Sequence, residues 1–502
     1  CFIQFCFILV CFLPFCRRLF SIQRLFGYPP VLFSRRFLPL LTSLNLVLLP
    51  GFACHSGHSC QAAESLPAAL AANSIGEESY SAEYTRLTKD ILLAGIEIER
   101  YSLKFRLESA RQPKLRRLRY ALAQEAGSAC GLAFEIVSDD QLGKGRRRPL
   151  EVSKPALRNA LKTAMVGSIV AASGSGLELS ANLLQAAKNK RNGYDFSSAN
   201  KFVAGKLKQI DSLLAARDAL IAAHPEHPAR ERALIESRVL RGLRDCFINE
   251  YSHFHADTRS YTAYQNLFFL LNASYNTVGA VGAYQGYRAV SKPELNGPAN
   301  ILFIVSGAMA ATAPLLAGAA KKIVYHSARR SVERELGEKP HFDAKSFSQD
   351  CRLLEAASAG GDGTLIASLP STKRLALYTE SGELFRKQLE SETTVMRRLE
   401  KVAIQNGILG PVIGGQLMTQ GILGTVGYYK YTVRPKKQLA HFYYGSVVGT
   451  VGTSMATVGT AAWLLSSYAY ERRLSKEKRL PVQLIKSRLE HLDELEKLVQ
   501  GI

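Results

Sequence analysis

Apolar and charged positions are segregated along this chain instead of interleaved. Five uncharged or nearly uncharged windows stand out: Thr163–Ala187, Ser260–Tyr287, Leu295–Ala320, Val402–Tyr429 and Gln438–Tyr470. Each reaches the ~20 residues that a helix needs to cross ~30 Å of hydrocarbon. A soluble core would mix apolar and polar positions at the helical or strand period. The pattern predicts an all-α, multi-pass membrane protein with about five spans. Tyrosines near the window ends (Tyr261, Tyr264, Tyr284, Tyr287, Tyr428, Tyr429, Tyr443, Tyr444, Tyr468, Tyr470) fit an interfacial belt.

The charged stretches between the windows also read as helices, giving helical hairpins and coiled-coil-like soluble segments. Tyr80, Tyr84, Leu87, Ile91, Ala94, Ile98, Tyr101 and Phe105 step alternately by four and three, the spacing of an a/d seam. Pro113 closes that helix, and Leu115, Leu118 and Leu122 begin another. Phe202, Ile210, Leu214 and Ile221 mark a further helix, broken at His224–Pro228, with a return helix from Ala229. Phe385, Leu389, Met396 and Leu399 repeat the period, and Pro481 opens a last amphipathic helix through Ile485, Leu489, Leu492 and Val499. Strand signals are scarce.

The spans carry Gly, Ala, Ser and Thr more than Leu. Gly445, Gly449, Thr453, Thr457 and Ala461 recur every fourth residue, as do Gly410 with Gly414, Gly282 with Gly286, and Ala164, Ser168, Ala172 and Gly176. Small residues at this spacing let helix backbones approach closely. GAVGAY (279–284) is echoed by GTVGYY (424–429), which suggests a duplicated helical hairpin; convergent Gly-rich composition is the alternative.

Residues 1–30 are a doubtful leader, and no methionine precedes Met165. Residues 31–61 read as a signal peptide, with cleavage near Ala53, or as an uncleaved anchor. Acylation of Cys54 is a weaker reading, because Gly51 stands where a larger aliphatic residue is usual. The nine cysteines are too few and too scattered for a disulfide framework. The formal charge is +22, falling to +17 without the five arginines that precede Glu64. Basic residues that flank apolar spans and meet anionic headgroups explain this better than nucleic acid does.

Extracytoplasmic residues 62–160 follow from a signal or anchor. Segments 188–259, 321–401 and 471–502 then face the cytoplasm, separated by spans at 163–187, 260–320 (two spans and a turn) and 402–470 (two more). Proposed inner flanks carry about 20 Lys and Arg and outer flanks about 10, in line with the positive-inside rule. Two groups dissent: Arg146, Arg147 and Arg148, and Lys430, Arg434, Lys436 and Lys437. The expected location is a bacterial inner or plasma membrane, with the N-terminal region outside and the C-terminus inside.

Glu178 is the one acid within a span, and an ionisable group there is a functional candidate by default. A slide of the span that puts Glu178 at the interface is the plainer account. Asn272 and Asn276 share a helix face, and Gln416 lies in the fourth window; such amides line polar paths or hydrogen-bond between helices. Pro314 and Pro411 kink their spans or break them as transporter sites do. Cys54–Cys60 and the alternation of His253, His255 and Asp257 are weak metal candidates. Ala171–Gly176 lacks the lysine and spacing of a phosphate loop. With no nucleophile elbow or HExxH pattern, neither an enzyme nor a cofactor or metal is expected.

The leading expectation is a membrane-anchored scaffold or interaction protein. Its small-residue helices pack through Gly282, Gly286, Gly410, Gly414, Gly445 and Gly449. Its partners are the lipid bilayer and, through helical segments, a second copy or another protein. The opposing reading is a solute or ion conduit built on Glu178, Asn272, Asn276 and Gln416. Convergence of those four on one cavity would favour the conduit, and scatter would favour the scaffold.

Overall fold

A computed structural model describes residues 77–109, 114–337, 341–359 and 410–501. The leader, the signal or anchor, the Cys54–Cys60 cluster, the 385–399 pattern and the start of the fourth window lie outside the described residues. Those described form helices and short connections, with no strand among them. In chain order the helices are α1 (Glu77–Ser109), α2 (Lys114–Arg147), α3 (Lys154–Arg191), α4 (Phe196–Ala223), α5 (Arg230–Ala289), α6 (Asn296–Leu336), α7 (Ala344–Ala359), α8 (410–430), α9 (Pro435–Lys476) and α10 (Pro481–Gln500).

Three helical runs are long and apolar enough to cross a membrane: Lys154–Ala223, Pro293–Leu336 and Pro435–Lys476. They contain the first, third and fifth windows read from the sequence. Among the described residues, then, three of the expected five spans are long and apolar enough on their own. Ser260–Tyr287 lacks charge, but Gln265, Asn266, Asn272, Asn276 and Gln285 dilute its apolarity; Gln416, Gln420 and repeated glycines do the same in α8. An uncharged stretch is not automatically an oily one.

Two halves with opposite packing share this fold. In the first, the core is built from large side chains. Ile91, Ile98 and Phe105 of α1, Val203, Leu207 and Ile210 of α4, Val239, Leu240 and Ile248 of α5, Val332 of α6, and Phe347 and Leu354 of α7 form one cluster. Ile485, Leu492 and Val499 of α10 seat on Ile96 and Leu103 of α1. The heptad spacing of α1 is thus used inside the chain: Tyr84, Leu87, Ile91, Ile98 and Phe105 are each buried against its own neighbours, and the seam has no face left for a coiled-coil partner.

In the second half, α2, α3, the C-terminal part of α5, α6, α8 and α9 run as three antiparallel hairpins. Their buried positions are small: Gly167, Ala171, Gly174 and Ser175 in α3, Gly279, Ala280, Gly282 and Ala283 in α5, and Gly445, Ser446, Gly449 and Gly452 in α9. Large apolar side chains point outward instead, among them Leu177, Leu315, Val451, Val458 and Leu465. The two halves are joined by uninterrupted helices. At 1.5 Å per residue, the 60-residue α5 is ~90 Å long. It runs from the large-residue core at Ile235 to the turn at Val290.

The hairpin turns, 148–153, 290–295 and 431–434, gather at one end. Arg146 lies over the rings of Tyr443 and Tyr444, Arg158 bonds Ser291, and Gly297 abuts Tyr429. The two dissenting basic groups therefore sit together. At the other end α1 shares its core with α4, α5, α6 and α7. The expected split, with 62–160 and 188–259 on opposite faces of a bilayer, does not survive this. Side chains in van der Waals contact have no lipid layer between them. The small-residue stripe of the first window also changes face. Gly167, Ala171 and Gly174 meet Gly127 and Ala123 of α2, whereas Gly176 has open space.

One buried histidine gives the large-residue half a pH signature. His255 is fully buried beside Phe105 and Phe196, and its Nδ1 lies 3.1 Å from the Tyr251 hydroxyl. Burial, with help from the charge of Arg259, pulls its imidazole down from 6.5 to about 3. The folded chain then binds fewer protons than the unfolded chain between those values. The contribution is complete above pH ~6.5 and is lost as pH falls toward 3, at ~1.4 kcal/mol per unit. Thermal unfolding should show a loss of about 2 kcal/mol between pH ~6.5 and ~5, and His255→Phe should flatten that slope.

Candidate functional site

Polar side chains inside the small-residue half fall into two groups at different depths. The first lies where the halves join. Arg116 Nε donates to Glu178 Oε2 at 2.8 Å, and Arg119 Nη2 donates to Glu178 Oε1 at 2.5 Å. Glu178 is 3% exposed, so both oxygens are served by guanidinium groups in a shielded site. Arg116 Nη2 also donates to Asn182 Oδ1, whose amide nitrogen donates to Asn266 Oδ1 of α5 at 2.9 Å. One turn further along α2, the Tyr120 hydroxyl accepts from Asn272 Nδ2 at 2.7 Å, and Asn276 Nδ2 donates to Asn272 Oδ1 at 2.6 Å. This network ties α2, α3 and α5 together at the junction.

The second group sits between α2, α8 and α9. Glu135 is 2% exposed. Its Oε1 accepts from Gln420 Nε2 at 2.7 Å and its Oε2 from Ser446 Oγ at 3.0 Å. One turn on, Asp139 Oδ2 accepts from Thr450 Oγ1 at 2.5 Å. Glycine makes the space: a Cβ at Gly449 would lie 2.6 Å from Glu135 Oε1 and 2.8 Å from Gln420 Oε1. The oxygens Asp139 Oδ1, Gln416 Oε1 and Gln420 Oε1 are shielded and have no hydrogen-bond partner among the described residues.

The four residues singled out as a possible conduit divide accordingly. Glu178, Asn272 and Asn276 belong to the junction network. Gln416 lies elsewhere, on α8, with its Nε2 3.8 Å from Met455 Sδ and its oxygen over Gly452. They do not meet. The glycines singled out for packing stand at helix contacts: Gly282 on Leu302 and Phe303, Gly286 on Leu161, Gly410 on Pro314, Gly414 on Gly307 and Ala311, Gly445 on Gln420, and Gly449 on Glu135. Of the echoed hexapeptides, Gly282 and Gly427 each face the following helix of their own hairpin, but Gly279 meets Ser306 of its own hairpin and Gly424 meets Asn300 of the other.

Glu135 does not stand out in the sequence, because it lies in no uncharged window. With Glu125, Glu135, Asp139 and Asp140, α2 is not such a window. The available signal was ALAQEAGSACGLAFEIV (121–137), whose small residues match the neighbouring spans. Two further ion pairs brace the large-residue half. Arg217, wholly buried, bonds Glu236 at 2.8 Å, and Arg488 of α10 sits between Glu99 and Glu250. Burial raises the Glu99 carboxyl above its usual range against the pull of Arg488. Among the described residues no cluster of three or more His, Cys, Asp or Glu could hold a metal ion. No family model, curated protein or solved structure matches the chain.

Proposed function

We propose that this is an integral membrane scaffold. A six-helix bundle of small-residue hairpins sits in the bilayer, and a helical bundle in water is fused rigidly to it. The observation that carries this reading is the inverted packing of the second half. None of the buried hydrophobic clusters among the described residues draws a residue from 114–191, 256–328 or 410–473. Of the most apolar windows in Pro293–Leu336 and Pro435–Lys476, 22% and 11% are buried. Water would penalise so much outward apolar surface, whereas lipid does not, and small residues inside are how helices pack in lipid. In this reading α2, the C-terminal part of α5 and α8 cross alongside the three apolar runs. Residues 77–109, 188–259, 321–359 and 471–501 then share one face, with the three turns on the other.

The scaffold is favoured over the conduit because the polar groups at the junction are committed to one another and Gln416 stands apart from them. Glu178 is held by two arginines, and Asn272 is held by Tyr120. The interaction surface is the polar exterior of the water-exposed half, since its apolar seams are occupied internally. Partners there, a second copy or another protein, would read charged helix faces.

Cysteine labelling checks the membrane placement. In sealed vesicles an impermeant maleimide should modify only one of Val433→Cys (in a turn) and Glu226→Cys (at the opposite tip), with the wild type as blank. Labelling of both without permeabilisation would overturn it. Proteoliposomes check the function: ion and small-solute flux should match empty vesicles. A flux abolished by Glu178→Gln would favour the conduit.

A further inference from the structure

We propose that Glu135 is a proton-binding site, carrying its proton at neutral pH and so holding the α8–α9 hairpin on α2. The contrast with Glu178 is the starting point. Both carboxyls are almost completely buried among small-residue helices. Glu178 has two arginines; Glu135 has an amide and a hydroxyl, both neutral. A buried carboxylate without a counter-charge is costly, and protonation is the usual relief.

Among the described residues, the charged and titratable groups facing this point supply no cation. On α2 the nearest is Asp139, itself an acid, bonded to Thr450. Beside Glu135, α8 presents Gln420, and α9 presents Ser446 and Gly449. Lys162 of α3 lies by the ring of Tyr287 at 5.4 Å, and the His441 ring of α9 lies tilted against that of Tyr431, with centroids 4.6 Å apart.

The immediate partners suit a carboxyl that changes state. Gln420 offers Glu135 its Nε2, and its own Oε1 lies buried and unpartnered on the same side, by Gly449. Rotation of that amide exchanges the two, since they differ only in which end faces the carboxyl. A carboxylate accepts from Nε2, and a carboxylic acid donates its O–H to Oε1. Ser446 donates or accepts as required. Room matters as well: the backbone of α9 closes over Glu135 so tightly that not even a methyl group fits at Gly449. A metal ion with its oxygen shell needs more space, and a proton needs almost none. The step is one protonation, with the proton drawn from water.

The inference rests on the bilayer reading for its apolar surroundings. Infrared spectra of the full chain in vesicles at neutral pH should carry a protonated-carboxyl band that Glu135→Gln removes and Asp139→Asn keeps. Ser446→Ala leaves every ionisable group in place and should shift that band. It covers the case in which Glu135→Gln fails to fold. A wild-type spectrum without the band, or a band indifferent to both Glu135→Gln and Ser446→Ala, would overturn the proposal. Two-sided labelling with the band intact would sink the bilayer placement alone; one-sided labelling with the band absent would sink the proton site alone.

Discussion

Arg217→Ala is expected to be among the most damaging single substitutions in the large-residue half, costing about 3–5 kcal/mol. Arg217 has no exposed surface, and its guanidinium is surrounded by acceptors from two neighbouring helices, α1 and α5. It donates to Glu236 Oε2 at 2.8 Å, Thr88 Oγ1 at 3.2 Å and the Ala233 carbonyl at 3.3 Å, and it bonds the Tyr84 hydroxyl and Ser237 Oγ. The Tyr84 ring lies 4.3 Å from the guanidinium carbon. Removing the arginine strands Glu236, 5% exposed, as a buried charge whose cation is gone. The cost is mostly that of the stranded partner, not of the lost bonds. Arg217→Met with Glu236→Leu should therefore recover much of the loss, because apolar residues of similar volume often replace a buried pair without penalty. Denaturant unfolding of the purified chain, followed through the double-mutant cycle, separates the two. Additive single losses would mean that the pair is not coupled.

The need for an arginine here was not readable from the chain, and the reason is general. Arg217 sits among Leu213, Leu214 and Leu220 on a helix whose buried face was legible from Phe202, Ile210, Leu214 and Ile221. Helical period gives the face but not the partner. Tyr84 and Thr88 are well over a hundred residues away. Glu178 was found because a charge inside an apolar window is conspicuous. Its partners Arg116 and Arg119 were not, because they begin a helix with no such window. Local pattern therefore reported helicity, the three most apolar runs and the small-residue habit. Which helices are neighbours depends on tertiary pairing, and that decides sidedness, the role of α2 and the fate of the α1 seam. Both ends of the small-residue half are basic, so an excess of Lys and Arg at one end carries little information about sidedness.

Where α6 and α8 cross, the fold should tolerate nothing larger than glycine. A Cβ at Gly414 would lie 2.6 Å from the Gly307 carbonyl oxygen and press on the Ala311 backbone; one at Gly307 would lie 2.5 Å from Met418 N and 2.7 Å from the Gly414 carbonyl oxygen. These neighbours are backbone atoms, so no rotamer change relieves the clash, and the helices must separate. Gly414→Leu should cost at least the ~3 kcal/mol at the upper end of ordinary overpacking. Part of the loss comes from parting α6 from α8 along their length, since Gly421 and Gly424 also rest on α6, at Ile304 and Asn300. Gly415 is the matched control. It is next in the chain, on the same helix, with open space around its Cβ position. Gly415→Leu should be neutral or gain up to ~1 kcal/mol from helix propensity. Thermal unfolding in one detergent reads both substitutions against the wild type. A similar loss at the two positions would mean that α8 resists substitution for its own sake. A loss confined to Gly414 would locate the resistance in the backbone-to-backbone crossing with α6, the contact on which the close packing of the small-residue half depends.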